Sequence, residues 1–419
     1  MILSNYEHFL SVLLLIVFLD GVSVSQPSLR LVQVIYRHGD RSPTFTYPTD
    51  PHQEDAWPQG FGQLSTVGMA QAYELGQFLR QQYSGFLNST YIRSQIHVRS
   101  SDKDRTLMTA STVLWGLFPA SGSQVWKPGS TWQPIPVHTV PLDEDLLIYA
   151  HCPAYDKLYK KLLASPIGQK IEHKNKALID YMAKHSGLKP SLINLLEITN
   201  PLFCEKANNM DFPEWLKKDN TFEKIMKFWD VKAQLKVNTT DLIRIKVGVL
   251  LGELQQHIDH LITYRNISEK MFMYSAHDTN IAAILNGLKL FDGHHPEYCS
   301  CLMFELYEIS NHSFGVQLYY REHASQQTQL LKIPGCSSSM CSVEEFASVL
   351  KDLIPADPKA SCSGKEEPSE DVSATDTTIT ALVFFTLAFL MVIVAVIILI
   401  RHCLQRKKTF HYRAVKLDV

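Results

Sequence analysis

The run from Ile379 to Ile400 constrains this chain most, because twenty-two consecutive residues carry no charged side chain. At about 1.5 Å of rise per residue, a helix of that length crosses the roughly 30 Å of hydrocarbon in a bilayer. Arg401, Arg406, Lys407 and Lys408 follow it directly, whereas Glu366, Glu367, Glu370 and Asp371 precede it. Cationic residues favour the cytosolic side, so residues 401–419 are expected to form a cytoplasmic tail and everything upstream to lie outside the cytosol. The other apolar run, Phe9 to Phe18, has ten residues and is too short to span. It is followed by Ser23-Val24-Ser25 ahead of Gln26, which predicts a cleaved signal peptide over 1–25, although no Lys or Arg precedes the apolar run.

Charge follows the same partition. The whole chain holds 40 basic and 42 acidic side chains, and this near balance gives no reason to expect a broad nucleic-acid surface. The tail from Arg401 to Val419 has six basic residues and one acid, Asp418. Residues 357–378 are rich in Ser, Thr and acid, with six acids against Lys359 and Lys365, and read as a flexible acidic stalk. The remaining 26–356 is near neutral and long enough for one large core with an inserted subdomain. Seven cysteines (Cys152, Cys204, Cys299, Cys301, Cys336, Cys341 and Cys362) precede the span, and Cys403 follows it as a candidate for palmitoylation. Neither CxxC nor a His-x-Glu/Cys zinc spacing occurs, so a disulfide framework suits the pattern better than a metal site, with one thiol left over by parity. Sequons at Asn88, Asn238, Asn266 and Asn311 mark surface positions for glycan.

Within 26–356, Leu29 to Tyr36 is apolar and β-branched and predicts a buried strand. Ile96–Arg99, Met271–Ser275, Leu302–Ile309 and Phe314–Tyr320 read as further strands. Ala72, Leu75, Leu79 and Tyr83 recur at helical spacing. Arg105 to Phe118 is helical up to Pro119, and Ile243 to Leu261 lines one face of a long helix. Tyr155 to Phe228 is Lys-rich and helical throughout, which predicts a cap inserted at roughly 150–240. Strand–helix alternation around it predicts an α/β fold whose mixed sheet, largely parallel, is flanked by helices.

Three polar clusters stand where predicted strands stop: Arg37-His38-Gly39-Asp40-Arg41, Arg99-Ser100-Ser101-Asp102 and His277-Asp278. In an open α/β sheet, ligands bind beyond the carboxyl ends of the strands. Three arginines and two histidines converging there suit a phosphate dianion, which guanidinium forks grip in a bidentate way. A neutral imidazole among them is a competent nucleophile toward phosphorus, and a carboxyl such as Asp278 is a proton donor. Arginines that carry the transition-state charge leave no need for a metal or cofactor. Gly39 offers unusual backbone angles beside the histidine. Each cluster alone reads more readily as ordinary structure: Arg37-His38 as a solvated strand end, Arg99 as a surface salt bridge, His277-Asp278 as a loop contact or helix cap. Their joint placement makes the argument. GxxxxGK[ST], GxSxG and HExxH are absent, and Asp292-Gly293-His294-His295-Pro296 reads as a surface turn and not as a metal site.

The motifs Arg37-His38-Gly39-Asp40-Arg41-Ser42-Pro43, Trp57 to Leu64, Trp132 to Pro141 and Tyr274-Ser275-Ala276-His277-Asp278-Thr279 resemble the histidine acid phosphatases, in particular the lysosomal, prostatic and testicular group. The resemblance runs from about Leu31 to Cys362, and the anchored layout is most like the lysosomal type. It implies an acid phosphatase acting on small phosphate monoesters. His38 would be the nucleophile that becomes phosphohistidine, and Asp278 the general acid. Arg37, Arg41, Arg99 and His277 would hold the phosphate. It also implies disulfides Cys152–Cys362, Cys204–Cys301 and Cys336–Cys341, and a homodimer. Cys299 is then the extra thiol, placed to compete with Cys301 for Cys204 or to bridge two subunits. Asn280 stands where relatives commonly carry Thr or Ser, a change that bears on contacts to the leaving group. Tyr412-Arg413-Ala414-Val415 has the form of a sorting signal read by an adaptor, which fits the lysosomal membrane, or the endosome and plasma membrane. Two alternatives stay open. One is a more selective phosphatase acting on lysophosphatidate, nucleotides or phytate, and the other a catalytically idle binding or adhesion glycoprotein on the same scaffold.

Overall fold

The computed structural model describes residues 26–149, 152–265, 267–310, 313–323, 327–363 and 391–401. The signal peptide, Asn266, Asn311, Cys403, Tyr412–Val415 and the first half of the apolar run lie outside the described residues. Residues 391–401 are helical, and among the described residues no helix is long and apolar enough to cross a membrane. The chain divides into two units, 1–364 and 365–419, and the sheet and the site belong to the first.

Strand β1 (Ser28–Arg37) leads to helix α1 (Thr66–Gln82), β2 (Ile96–Ser100) and α2 (Asp104–Leu117). Six helices follow: α3 (Pro153–Ala164), α4 (Pro166–Lys174), α5 (Lys176–Ser186), α6 (Leu192–Ala207), α7 (Glu214–Lys217) and α8 (Thr221–Lys236). The chain then returns through α9 (Thr240–Tyr264), β3 (Met271–Ala276) and α10 (Asp278–Gly287) to β4 (Cys301–Ser310), β5 (Ser313–Arg321), β6 (Gln329–Leu331) and β7 (Cys341–Ser342). Helices α11 (Val343–Leu350) and α12 (Pro358–Ser363) close the unit.

The sheet runs β2-β3-β1-β4-β5-β6, with β7 also on β5. Only β2, β3 and β1 are mutually parallel; every pairing from β4 onward is antiparallel. The sheet is therefore mixed but not largely parallel. The reason is the link from Ser310 to Ser313, which is far shorter than the dozen or so residues a parallel crossover needs. From Leu31 onward β1 is buried on both faces, and its sequence there is apolar up to Tyr36 apart from Gln33. Leu31 and Ile35 pack toward α9 and α10, and Val32, Val34 and Tyr36 toward α1 and α2. Each such aliphatic side chain contributes about 1.5–3 kcal/mol. Gln33, buried among them, donates to Leu254 O on α9 at 2.9 Å, so its amide is satisfied.

Helices α3 to α8 carry a core of their own, in which Met182, Leu195, Leu196, Ile198, Leu202 and Ile225 are fully buried. Cys152, just before α3, is bonded to Cys362 in α12, so residues 357–363 belong to the folded unit and not to a stalk. The second disulfide joins Cys336 and Cys341. Cys204 and Cys301 are not bonded to each other. Cys301 opens β4 facing the core shared with Cys299, Val32 and Met303, whereas Cys204 on α6 takes a hydrogen bond from Arg41 Nη1 at 3.3 Å. Cys299 is fully buried, which excludes a bridge between subunits. Asn88 and Asn238 are exposed.

Candidate active site

Parallel register builds the site. Arg37 aligns with Ala276, and Ser100 with Ser275, so β1, β3 and β2 end side by side and release their polar clusters at one rim. Gly39 is needed there, but not for unusual angles. Its backbone is ordinary, and a Cβ would strike the carbonyl of Gly68, where the amino end of α1 crosses the loop. Asp40 fixes that loop from below, accepting from Ser65 Oγ and from Asn208 Nδ2 at 2.9 Å.

A cavity of about 310 Å³ opens at the rim, and His38, Arg41, Arg105, His277, Asp278 and His295 line it. His38 and His277 face each other with ring centroids 5.5 Å apart. His38 Nδ1 lies 2.8 Å from Gly39 O. A carbonyl only accepts, so Nδ1 holds the proton and Nε2 keeps its lone pair. Burial, then the charges of Arg105, Arg37 and Arg41, hold His38 well below the usual imidazole range. The shift favours the neutral imidazole. His277 is held the same way, by burial and Arg105, and its Nε2 meets Ser101 Oγ at 2.9 Å.

Arg37 is fully buried behind the cavity. Its Nη1 donates to Pro296 O at 2.6 Å, its guanidinium lies 3.9 Å from the Tyr298 ring centre, and Nη2 sits 3.7 Å from Asp278 Oδ2. Nε and Nη2 of Arg37, Nε of Arg41 and Nε of Arg105 are buried donors with no hydrogen-bond acceptor among the described residues. Buried cationic donors of this kind call for an anion.

Two sequence expectations change here. Arg99 does not reach the cavity. It is spent on a 3.4 Å ion pair with buried Asp145 and on the carbonyl of Ser100 at 2.6 Å, because the alternation of β2 turns its side chain toward Tyr274 and α9. Arg105, on the first turn of α2, takes the place given to Arg99. Its pKa is lowered to about 10 by burial and by Arg41 beside it. The signal was present in the sequence, since Asp102-Lys103-Asp104-Arg105 follows the strand end and starts the helix, one turn further than the strand-end rule looks.

The second change concerns His295. His294 is exposed, as a surface turn requires, but His295 is buried against the Trp229 ring at 4.0 Å, and its Nε2 lies 3.2 Å from Asp278 Oδ2. Burial alone would raise Asp278. His295, Arg37 and Lys236 outweigh it and hold the carboxyl well below the usual range. Asn280 makes no contact with the cavity. Its Oδ1 accepts from His277 N at 3.1 Å, and its Nδ2 donates to Ile148 O at 2.9 Å, so it orients the histidine and the segment bearing Tyr149.

Among the described residues, the metal-donor triple within mutual reach is Cys336, Cys341 and Glu345, and its sulfurs are consumed in the disulfide. A neutral histidine set among unsatisfied guanidiniums, at the carboxyl ends of parallel strands, defines an enzyme that handles phosphate. The chain belongs to the histidine phosphatase superfamily (branch 2), whose model matches residues 28–321. Lysosomal acid phosphatase of Homo sapiens is 36% identical over 381 residues, 89% of this chain and 88% of that one. Prostatic acid phosphatase of Bos taurus is 39% identical over 368 residues, 84% and 93% of the two chains. Among solved structures, the phytase of Citrobacter braakii aligns at TM-score 0.58 and 17% identity over 81% of this chain and all of its own, a likeness of fold.

Proposed function

We propose that this chain is an acid phosphatase hydrolysing phosphate monoesters through a phosphohistidine on His38. The observation that carries the reading is the neutral His38, with Nε2 free, among Arg37, Arg41 and Arg105. Nε2 attacks phosphorus as the bond to the ester oxygen breaks, and the three arginines and His277 take up the charge on the transferring phosphoryl group. Asp278 delivers a proton to the departing oxygen. Water then attacks the phosphohistidine, gives its proton to Asp278, and frees His38 and phosphate.

The lowered pKa of Asp278 bears on the working pH. The shift favours the carboxylate form of free Asp278, so the proton it delivers is best supplied by the substrate. A phosphate monoester carries one below its second pKa of about 6. The monoanion brings both the phosphoryl group and the proton, and its charge offsets the cations that depress Asp278. Rate therefore falls as the ester becomes a dianion. His38, lowered by its neighbours, stays unprotonated well into the acid range. Acid activity follows from both shifts together.

Acid quenching during turnover of p-nitrophenyl phosphate without added metal should trap phosphate on His38. A His38→Ala variant that kept most of the activity would overturn the reading. The same reading includes a signal peptide over 1–25, a membrane helix over 379–400, a cytoplasmic tail and a lysosomal destination, supported by the charge pattern and by the names of the relatives. It includes a homodimer, checked by sedimentation, and an adaptor contact through Tyr412–Val415, checked by uptake of Tyr412→Ala.

A further inference from the structure

The cavity is basic beyond its arginines as well. Lys232 and Lys236 on α8 and Lys246 on α9 line it, with Tyr155 between the two helices. Tyr155 OH donates to the carbonyl of Lys236 at 2.7 Å, and Lys246 Nζ lies 4.6 Å from the Tyr155 ring centre. Lys232 is already neutralised by Glu197 at 2.8 Å. Lys236 and Lys246 have no carboxylate within ion-pair distance among the described residues; Asp156 faces the same cavity from an exposed position at its edge. We propose that Lys236 and Lys246 form a subsite for a second anionic group on the substrate, so that the preferred esters are small and carry a carboxylate or phosphate on the leaving group. The inference rests on the phosphatase reading above, because that reading puts the leaving group beside Asp278.

Both lysines lie within electrostatic reach of that residue. Lys236 helps to hold the Asp278 carboxyl down. Burial and Lys236 lower Lys246 to about 8, with Asp278 and Asp156 opposing them. At acid pH Lys246, lowered only to about 8, remains an ammonium ion. A cationic pair that lines the cavity with Asp278, and that sits on α8 and α9 and not on the elements bearing the arginines, is placed for the part of the substrate that departs. The cavity admits a phosphate and a short carbon frame, which keeps the two anionic groups near each other.

A matched pair of esters tests this. 3-Phosphoglycerate and glycerol 3-phosphate differ in a carboxylate against a hydroxymethyl group, and at about pH 5 the carboxylate is ionised. The full chain should favour 3-phosphoglycerate in kcat/KM by about tenfold, the size of a charge-assisted hydrogen bond in a partly buried site. Lys236→Met and Lys246→Met should each bring the ratio toward one, and Lys246→Arg should retain it. A ratio near one in the unaltered enzyme, or a ratio that survives both Met substitutions, overturns the subsite. Turnover of p-nitrophenyl phosphate separates the two failures. If it is absent, the phosphatase reading falls; if it is present while the glycerate preference is missing, only the subsite falls. Should the Met variants not fold, the ratio in the unaltered enzyme still decides.

Discussion

Exchanging the roles of Arg99 and Arg105 makes a prediction that separates the strand-end rule from the geometry. Arg105→Ala removes a guanidinium that lines the cavity and whose buried Nε has no hydrogen-bond acceptor among the described residues. Losing one preorganised donor to a transition-state oxyanion costs about 2.7–4 kcal/mol, or roughly 10²–10³ in kcat. Arg105 is also the strongest of the cationic neighbours lowering His38. Without it the His38 pKa rises toward its ordinary value, more imidazolium forms at a given acid pH, and the acid limb of the rate profile moves to higher pH. Arg99→Ala touches no group in the cavity. It strands buried Asp145, 3.4 Å away, and breaking a buried pair from one side costs about 3–5 kcal/mol of stability. The assay is p-nitrophenyl phosphate turnover across pH, normalised to active sites by the trapped phosphohistidine, alongside thermal melts. Arg105→Ala should melt near the parent and turn over slowly, and Arg99→Ala should melt early and keep kcat within about threefold per active site. If folded Arg99→Ala lost as much kcat as Arg105→Ala, or if the acid limb of Arg105→Ala did not move upward, the assignment of the clamp would be wrong.

Asp278→Asn should harm hydrolysis of alkyl phosphates at least about tenfold more than of aryl phosphates, whose leaving oxygen needs a proton less; equal losses on the two classes would remove Asp278 as the acid. Glu205, fully buried beside Asp50, has its pKa raised to about 9 by burial and by that neighbour. A raised carboxyl favours the folded state below its unfolded value, and this stability is lost as pH rises through the folded one. Melting temperature should therefore decline between about pH 5 and pH 9, and Glu205→Gln should flatten the decline; an unchanged slope would mean that Glu205 is ionised in the fold. Peptide mapping after alkylation in denaturant should find Cys204, Cys299 and Cys301 labelled and the pairs Cys152–Cys362 and Cys336–Cys341 unlabelled; a recovered Cys204–Cys301 peptide would refute the separation of those thiols.

The difference between what sequence showed and what it missed has a physical origin. Strand β1 and its following loop were legible because a strand buried on both faces has to be apolar along its whole length, and the change to Arg37-His38-Gly39-Asp40-Arg41 is abrupt. Helix α9 was legible from Ile243 to Leu261 because one face carries the core. Direction in the sheet was read less well, although the link between β4 and β5 is too short for anything except a hairpin. The site residues that escaped notice are those whose role depends on which way a side chain turns. Arg99 and Arg105 are six positions apart and chemically identical, and only the alternation of β2 and the first turn of α2 decide which one meets phosphate. His294 and His295 are adjacent, yet one is solvated and the other lies between Trp229 and Asp278. Nothing in a turn of Asp, Gly and His marks the difference, because the partner ring stands more than sixty positions earlier, on α8. The lysines of α8 and α9 escaped notice for the same reason. A helix that inserts a basic edge into a cavity has the same composition as one that shows it to water, and only the packing of α3 through α9 against the rim tells them apart. Identity of chemistry was therefore readable from the strand ends, whereas selectivity resides in the cap, where sequence periodicity reports the buried face and is silent about which polar face the fold encloses.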